Sequence, residues 1–190
     1  MRIILGISGA SGVLMGYKML LVLKNIPDCE VHLVISKAAK LNFRLETDLY
    51  VEEIEALADF CYLDDDMAAL ISSGSFVTSG MILMPCSMKT LAAIANGYAA
   101  NLLARAADVC LKENRRVVLV PREMPLGKIH LENMSKAMEL GCSIIPPMLT
   151  FYNQPRSLDE QINHIIGKVL MQFNLPYERF RAWCGEKHVP

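Results

Sequence analysis

Apolar positions in this chain come in two textures: short unbroken runs, and longer stretches where they return every three or four residues. The runs at 3–5, 31–35, 81–84, 116–120 and 143–145 have the length of buried strands and are too short for core helices. The intervening stretches read as helices. Val13, Tyr17, Leu20, Leu21 and Leu23 mark one over 13–23, and further helices are predicted at 37–44, 51–59, 67–71, 101–112, 131–140 and 158–173. A shorter one follows Thr90 and runs to Asn96, where Gly97 breaks it, and Gly141 stops the 131–140 helix as a C-terminal glycine does. Strands alternating with helices predict a parallel sheet with helices on both faces, an α/β architecture of three layers. No repeat or linker interrupts the pattern, so residues 1–190 read as a single domain with a polar tail from about 174.

In an open parallel sheet the strands all end on one side, so the turns that follow them converge on one crevice. The polar chemistry sits in those turns. Gly6, Gly9 and Gly12, interleaved with Ser8 and Ser11, separate the first strand from its helix. Glycine lets the backbone approach a ligand, and the free N–H groups of a first helical turn favour a phosphate. The spacing G-x-x-G-x-x-G is neither the dinucleotide fingerprint nor the Walker form, and the loop has no lysine for a second phosphate. It reads as a cradle for one phosphate with Ser8 and Ser11 as hydroxyl donors, or as a tight turn without a ligand.

Ser36 follows the second strand, and Pro85-Cys86-Ser87-Met88-Lys89-Thr90 follows the third, with Ser87 and Thr90 at its mouth. Arg122 and Glu123 follow the fourth. Arg122 can grip a phosphate or a flavin oxygen bidentately, and Glu123 is a candidate general acid or base. The less favoured alternative for the pair is a surface salt bridge or turn. Cys86 reads as a small apolar filler, His32 and His130 as structural, and Arg105 and Lys112 as helix-surface charges. Hydroxyls and helix N-termini without a Walker lysine suit a mononucleotide such as FMN.

Composition narrows the partners. Nineteen basic against twenty acidic residues leave a net charge of −1, which argues against nucleic acid and acidic lipid. No apolar run approaches a membrane span, and the glycine-rich turn falls where a signal peptide would carry its apolar core. Six cysteines, at 29, 61, 86, 110, 142 and 184, form no C-x-x-C pair, so reduced cytoplasmic thiols are expected rather than zinc or disulfides. Asp64, Asp65 and Asp66 resemble the start of an acidic magnesium signature, but position 68 is Ala; the segment reads as a solvated turn, and no metal is expected. Twelve methionines and a hydrophobic fraction of 53% predict apolar surface buried between subunits.

Together these segments resemble the UbiX-type flavin prenyltransferases. The resemblance rests on G-I-S-G-A-S-G at 6–12, I-S-K-A-A at 35–39, L-E-T-D at 45–48 and S-S-G-S-F at 72–76. It continues through G-M-I-L-M-P-C-S-M-K-T-L at 80–91, R-A-A-D-V-C-L-K-E at 105–113, V-P-R-E-M-P-L at 120–126, I-H-L-E-N-M at 129–134 and F-Y-N-Q-P at 151–155. The motifs run in order over about nine tenths of the chain. What the resemblance implies is a flavodoxin/Rossmann-like fold and an enzyme that joins a dimethylallyl group, from dimethylallyl monophosphate, to N5 and C6 of reduced FMN. The product, prenylated FMN, would serve a separate UbiD-type decarboxylase, and the family's assembly implies a homododecamer.

By the same resemblance Gly9, Ala10, Ser11, Ser36, Ser87, Met88, Lys89, Thr90 and Arg122 are expected to contact FMN. Tyr152 and Lys168, from another subunit, are expected to hold the prenyl phosphate with Arg122, and Trp183 looks like part of a closing tail. Ser11, Glu46 and Glu123 look like the proton-handling group, with Glu123 relayed through Ser11. Two departures stand out. Lys168 occupies a place where many members have arginine, a point charge instead of a fork, and Ala100 stands where an acidic residue is common. Two other readings are an FMN-dependent cysteine decarboxylase and a non-catalytic flavin carrier. The first is disfavoured because its P-A-S-A-N-T segment is here P-C-S-M-K-T.

Overall fold

The computed structural model, which describes residues 1–185, gathers six strands into one parallel sheet. They are β1 (Arg2–Ile7), β2 (Glu30–Ile35), β3 (Phe60–Tyr62), β4 (Gly80–Cys86), β5 (Arg116–Pro121) and β6 (Cys142–Ile144), in the order β3-β2-β1-β4-β5-β6. Seven helices connect or follow them: α1 (Val13–Lys24), α2 (Lys37–Glu46), α3 (Val51–Ala56), α4 (Met88–Ala95), α5 (Leu102–Lys112), α6 (Lys128–Glu139) and α7 (Leu158–Met171).

Alternate residues of β1, β2, β4 and β5 feed two separate cores, which gives the three layers. Ile3, Leu5 and Ile7 of β1 pack on one face with Met19 and Leu20 of α1 and Ile166 and Val169 of α7. Ile4 of β1 faces the other way, with Leu91 of α4, Leu103 and Ala107 of α5, and Ala137 of α6. Strands buried on both faces explain why the apolar runs are continuous rather than alternating.

Three expectations need correction. The sheet has six strands, not five: β3, over residues that the sequence pattern assigns to no strand, pairs with β2 alone at the sheet edge, and α3, expected over 51–59, stops at Ala56. The helix expected over 67–71 is a single 3-10 turn, Leu70–Ser72. The acidic turn before it explains why. Asp64 accepts the Leu102 N–H on its carbonyl at 2.7 Å and the Asn101 amide on its carboxylate at 3.1 Å, while Asp65 pairs with Lys37 at 2.9 Å. The segment is a clasp between the start of α2 and the start of α5, not a free turn. Third, Gly6 is not a loop glycine. It lies inside β1, where a Cβ would come within 2.7 Å of the Leu83 and Leu103 side chains. The tail expected from about 174 crosses back over α7, with Tyr177 donating to Asn163 at 2.9 Å; its residues 186–190 lie outside the described residues.

Candidate functional site

Strand order reverses between β1 and β4: the chain leaves β1 for β2 and β3 on one side and returns to β4, β5 and β6 on the other. In such a sheet the crevice opens at the carboxyl ends of those two strands. Ser8 closes its floor. The Ser8 hydroxyl donates to the Pro85 carbonyl at 3.1 Å and accepts the Ser87 N–H at 2.7 Å, so it ties the end of β1 to the end of β4. It is buried and fully engaged, which corrects the expectation that it offers its hydroxyl to a ligand.

Beyond Ser8 the loop turns sharply. Gly12 has φ +95°, a left-handed conformation that side chains disfavour, and it precedes the first turn of α1. Its N–H donates to the Glu46 carboxylate at 2.7 Å. Glu46 lies within the last turn of α2, so that helix runs two residues longer than the sequence pattern predicts and delivers the carboxylate to the loop. From the other side Arg122, just past β5, donates its Nε to the Ser11 carbonyl at 3.2 Å, and its own N–H donates to Cys86 O at 3.2 Å. Among the described residues no acceptor meets the two Nη groups of Arg122.

Two more helix starts open on the same rim. Ser36 caps α2, accepting from Ala39 N at 3.1 Å, and its own N–H donates to Ile7 O at 3.0 Å. Ser87 caps α4, accepting from Thr90 N at 3.3 Å, with its hydroxyl 3.1 Å from that of Thr90. In each first turn the remaining N–H groups have no intrahelical acceptor. Lys89 and Thr90 also line a groove of about 590 Å³ that reaches Lys37, Tyr98 and Asn101. The Cys86 thiol is fully buried, and burial holds its pKa far above the ordinary thiol range, which leaves it a filler without nucleophilic character.

Glu123 is exposed, and its Oε1 accepts the N–H of Met124 at 3.0 Å. No hydrogen bond joins Glu123 to Ser11 among the described residues; the carboxylate that holds the Ser11 loop is Glu46.

Tyr152, Lys168 and Trp183 form a second group, drawn from the loop before α7, from α7 itself and from the tail. The Tyr152 hydroxyl lies 3.0 Å from His164 Nε2, and its ring meets those of His164 and Trp183 edge-on at 5.5 and 5.7 Å. Lys168 Nζ stands 5.8 Å over the Phe180 ring. Phe180 fits because position 167 is glycine: a Cβ there would lie 2.4 Å from the ring. No hydrogen bond, ion pair or ring contact connects this group to Ser11, Glu46, Arg122 or Glu123 among the described residues. Within one chain these are two separate groups, a phosphate-suited rim and a cationic, aromatic patch. Sequence reading missed His164 and Phe180. The spacing of His164 and Lys168, four apart on one helix face, is the signal in the sequence that points to the patch.

Comparison with known proteins agrees with this architecture. The family described as Flavoprotein matches residues 1–174. A UbiX-like flavin prenyltransferase of Sedimentibacter hydroxybenzoicus is 67% identical over 187 residues, which are 98% of this chain and 99% of that protein. The crystal structure of a dodecameric FMN-dependent UbiX-like decarboxylase from Escherichia coli O157:H7 superposes with a TM-score of 0.95 at 51% identity, covering 97% of this chain and 100% of that one. AnUbiX in complex with FMN and dimethylallyl pyrophosphate superposes equally well, 0.95, at 45% identity and 98% of both chains.

Proposed function

This chain belongs to the flavoprotein family and, within it, to the UbiX-like flavin prenyltransferases, and from that premise we propose that it transfers a dimethylallyl group from dimethylallyl monophosphate to reduced FMN. The observation that carries the reading is Arg122, anchored through Nε on Ser11 O with neither Nη group met by an acceptor among the described residues, on the sheet rim where two serine-capped helices also start. A donor set of backbone N–H groups, hydroxyls and one guanidinium fits a phosphate-bearing mononucleotide. We assign FMN to the loop 9–12, to Ser36, to the turn 87–90 and to Arg122.

The reduced flavin, when bound, supplies the nucleophile at N5 and the second bonding position at C6. The protein's part is to meet charge and move a proton. A departing phosphate needs its charge neutralised as it develops. The Arg122 guanidinium, the Lys168 ammonium and the Tyr152 hydroxyl do so in this proposal, Lys168 as a point charge without arginine's bidentate geometry. Glu123 has one carboxylate oxygen engaged by Met124 N–H, and the other takes the proton lost from C6 at ring closure. Glu46 holds the loop in which Ser11 sits.

Because no hydrogen bond, ion pair or ring contact joins Tyr152 and Lys168 to the rim among the described residues, the proposal has a second copy complete the site. Exposed Leu45, Tyr50, Met124 and Phe151 provide apolar surface for such contacts, and the dodecamer of the E. coli relative is the assembly we assign. The product then passes to a UbiD-type decarboxylase in the cytoplasm. No described helix is long and apolar enough to cross a membrane. We read the chain as one flavoprotein domain with the tail laid over α7.

The test is anaerobic incubation with reduced FMN and dimethylallyl monophosphate, followed by mass spectrometry of the flavin. A gain of one prenyl unit supports the transferase. Unchanged flavin in bound form sinks it in favour of a carrier, and carbon dioxide released from a cysteine substrate sinks it in favour of a decarboxylase.

A further inference from the structure

His164 is a buried histidine to which the proposed chemistry gives no role. It is 2% exposed, held between the Tyr152 ring at 5.5 Å and the Phe180 ring at 4.9 Å. Its Nε2 lies 3.0 Å from the Tyr152 hydroxyl. Its Nδ1 is buried and has no hydrogen-bond partner among the described residues.

That asymmetry decides where the imidazole proton sits. A neutral ring carries one proton, and on Nδ1 it would be an orphaned buried N–H, the rarer and costlier kind of unpaired group. On Nε2 it has an acceptor in the phenol oxygen, and only a lone pair is left unpaired. The doubly protonated ring would orphan an N–H and also bury a charge near Lys168; burial first, and then the Lys168 ammonium, hold the His164 pKa below the ordinary histidine value.

The consequence falls on Tyr152. If His164 took the phenol proton, Tyr152 would offer an anion nothing but lone pairs. With the Nε2 proton directed at the phenol oxygen, the hydroxyl hydrogen of Tyr152 is free, and Tyr152 is 45% exposed. We propose that His164 is a positioning residue: as the Nε2–H tautomer it donates to the Tyr152 oxygen and thereby commits the Tyr152 hydroxyl to donate to the phosphate of the prenyl substrate. This rests on the reading that Tyr152 meets that phosphate.

Two measurements test it on the full-length protein. Nitrogen-15 labelling of the four histidines, with H164Q used to identify the resonance, reports the tautomer in the native chain. A proton on Nε2 is expected, and one on Nδ1 overturns the proposal whatever the variants do. In steady-state assays H164M raises KM for dimethylallyl monophosphate roughly tenfold while FMN affinity is unchanged, the size of one hydrogen bond to a charged group. H164Q, whose amide can donate to the same oxygen, returns KM to within about twofold of wild type. H164M with wild-type KM, beside Y152F with a raised one, overturns the role of His164 and leaves that of Tyr152 intact. Y152F without effect removes the reading beneath both.

Discussion

The Glu46 carboxylate accepts the Gly12 N–H at 2.7 Å, joining the last turn of α2 to the loop that opens α1 across the crevice. One residue back, Ser11 offers its carbonyl to Arg122. Glu46, Gly12, Ser11 and Arg122 thus form one chain of contacts from β2's helix to β5's turn. E46A removes the only side-chain acceptor on this amide among the described residues and is expected to weaken FMN binding about tenfold, whereas E46Q keeps an oxygen there and stays within about threefold. Calorimetric titration with FMN checks both. If Glu46 also moves a proton, E46Q keeps its affinity but loses kcat.

Ser8 is a stability residue that happens to lie in a functional loop. Replacing it by alanine leaves the Ser87 N–H without its acceptor at the buried junction of β1 and β4. S8A is expected to lower unfolding free energy by about 2 kcal/mol, read from the urea midpoint at unchanged slope.

Position 167 separates the tail from the core. G167A puts a methyl group where the Phe180 ring now lies, while the apolar face of α7 stays as it is. The tail is expected to lift, raising KM for the prenyl donor about fivefold with little change in FMN affinity, the scale of a single aromatic ring pairing at a partly exposed site. Equal loss of FMN affinity would argue that the tail also shapes the flavin half.

Acid sensitivity should carry a His164 signature. Its folded-state pKa lies below the ordinary 6.5, held there by burial and by Lys168, so the unfolded chain takes up the proton first as pH falls. The neutral ring's contribution is complete above 6.5 and is lost progressively as pH drops through that value toward the lower folded-state one. Melting temperature measured against pH is expected to fall more steeply in this window for wild type than for H164Q. Parallel curves would contradict it.

Much of this architecture is legible in the sequence. The two-sided burial of β1, β2, β4 and β5 makes their runs continuous, and Ser36 and Ser87, which follow β2 and β4, stand out in sequence as polar turn residues that the structure shows to cap α2 and α4. β3 is not legible: Phe60, Cys61 and Tyr62 are three residues on an edge, and only pairing with β2 makes them a strand. Ser8 and Ser11 look alike in sequence, yet only the return of β4 alongside β1 turns the first into a tie. The Glu46 contact spans 34 residues and depends on where α2 ends. His164 is hidden because its meaning comes from Tyr152 and from the tail folding back, neither of them its neighbour in sequence.

The central claim is that the rim of one chain and the α7 patch of another make one prenyl-transfer site. Co-expressing R122A with K168A, each inactive alone, tests it most directly. Shared sites are expected to restore prenylated FMN to about a quarter of the wild-type yield, since random assembly pairs two intact halves that often. No prenylated FMN from mixed assemblies, beside full activity of the wild type, would place both halves within a single chain and contradict the account.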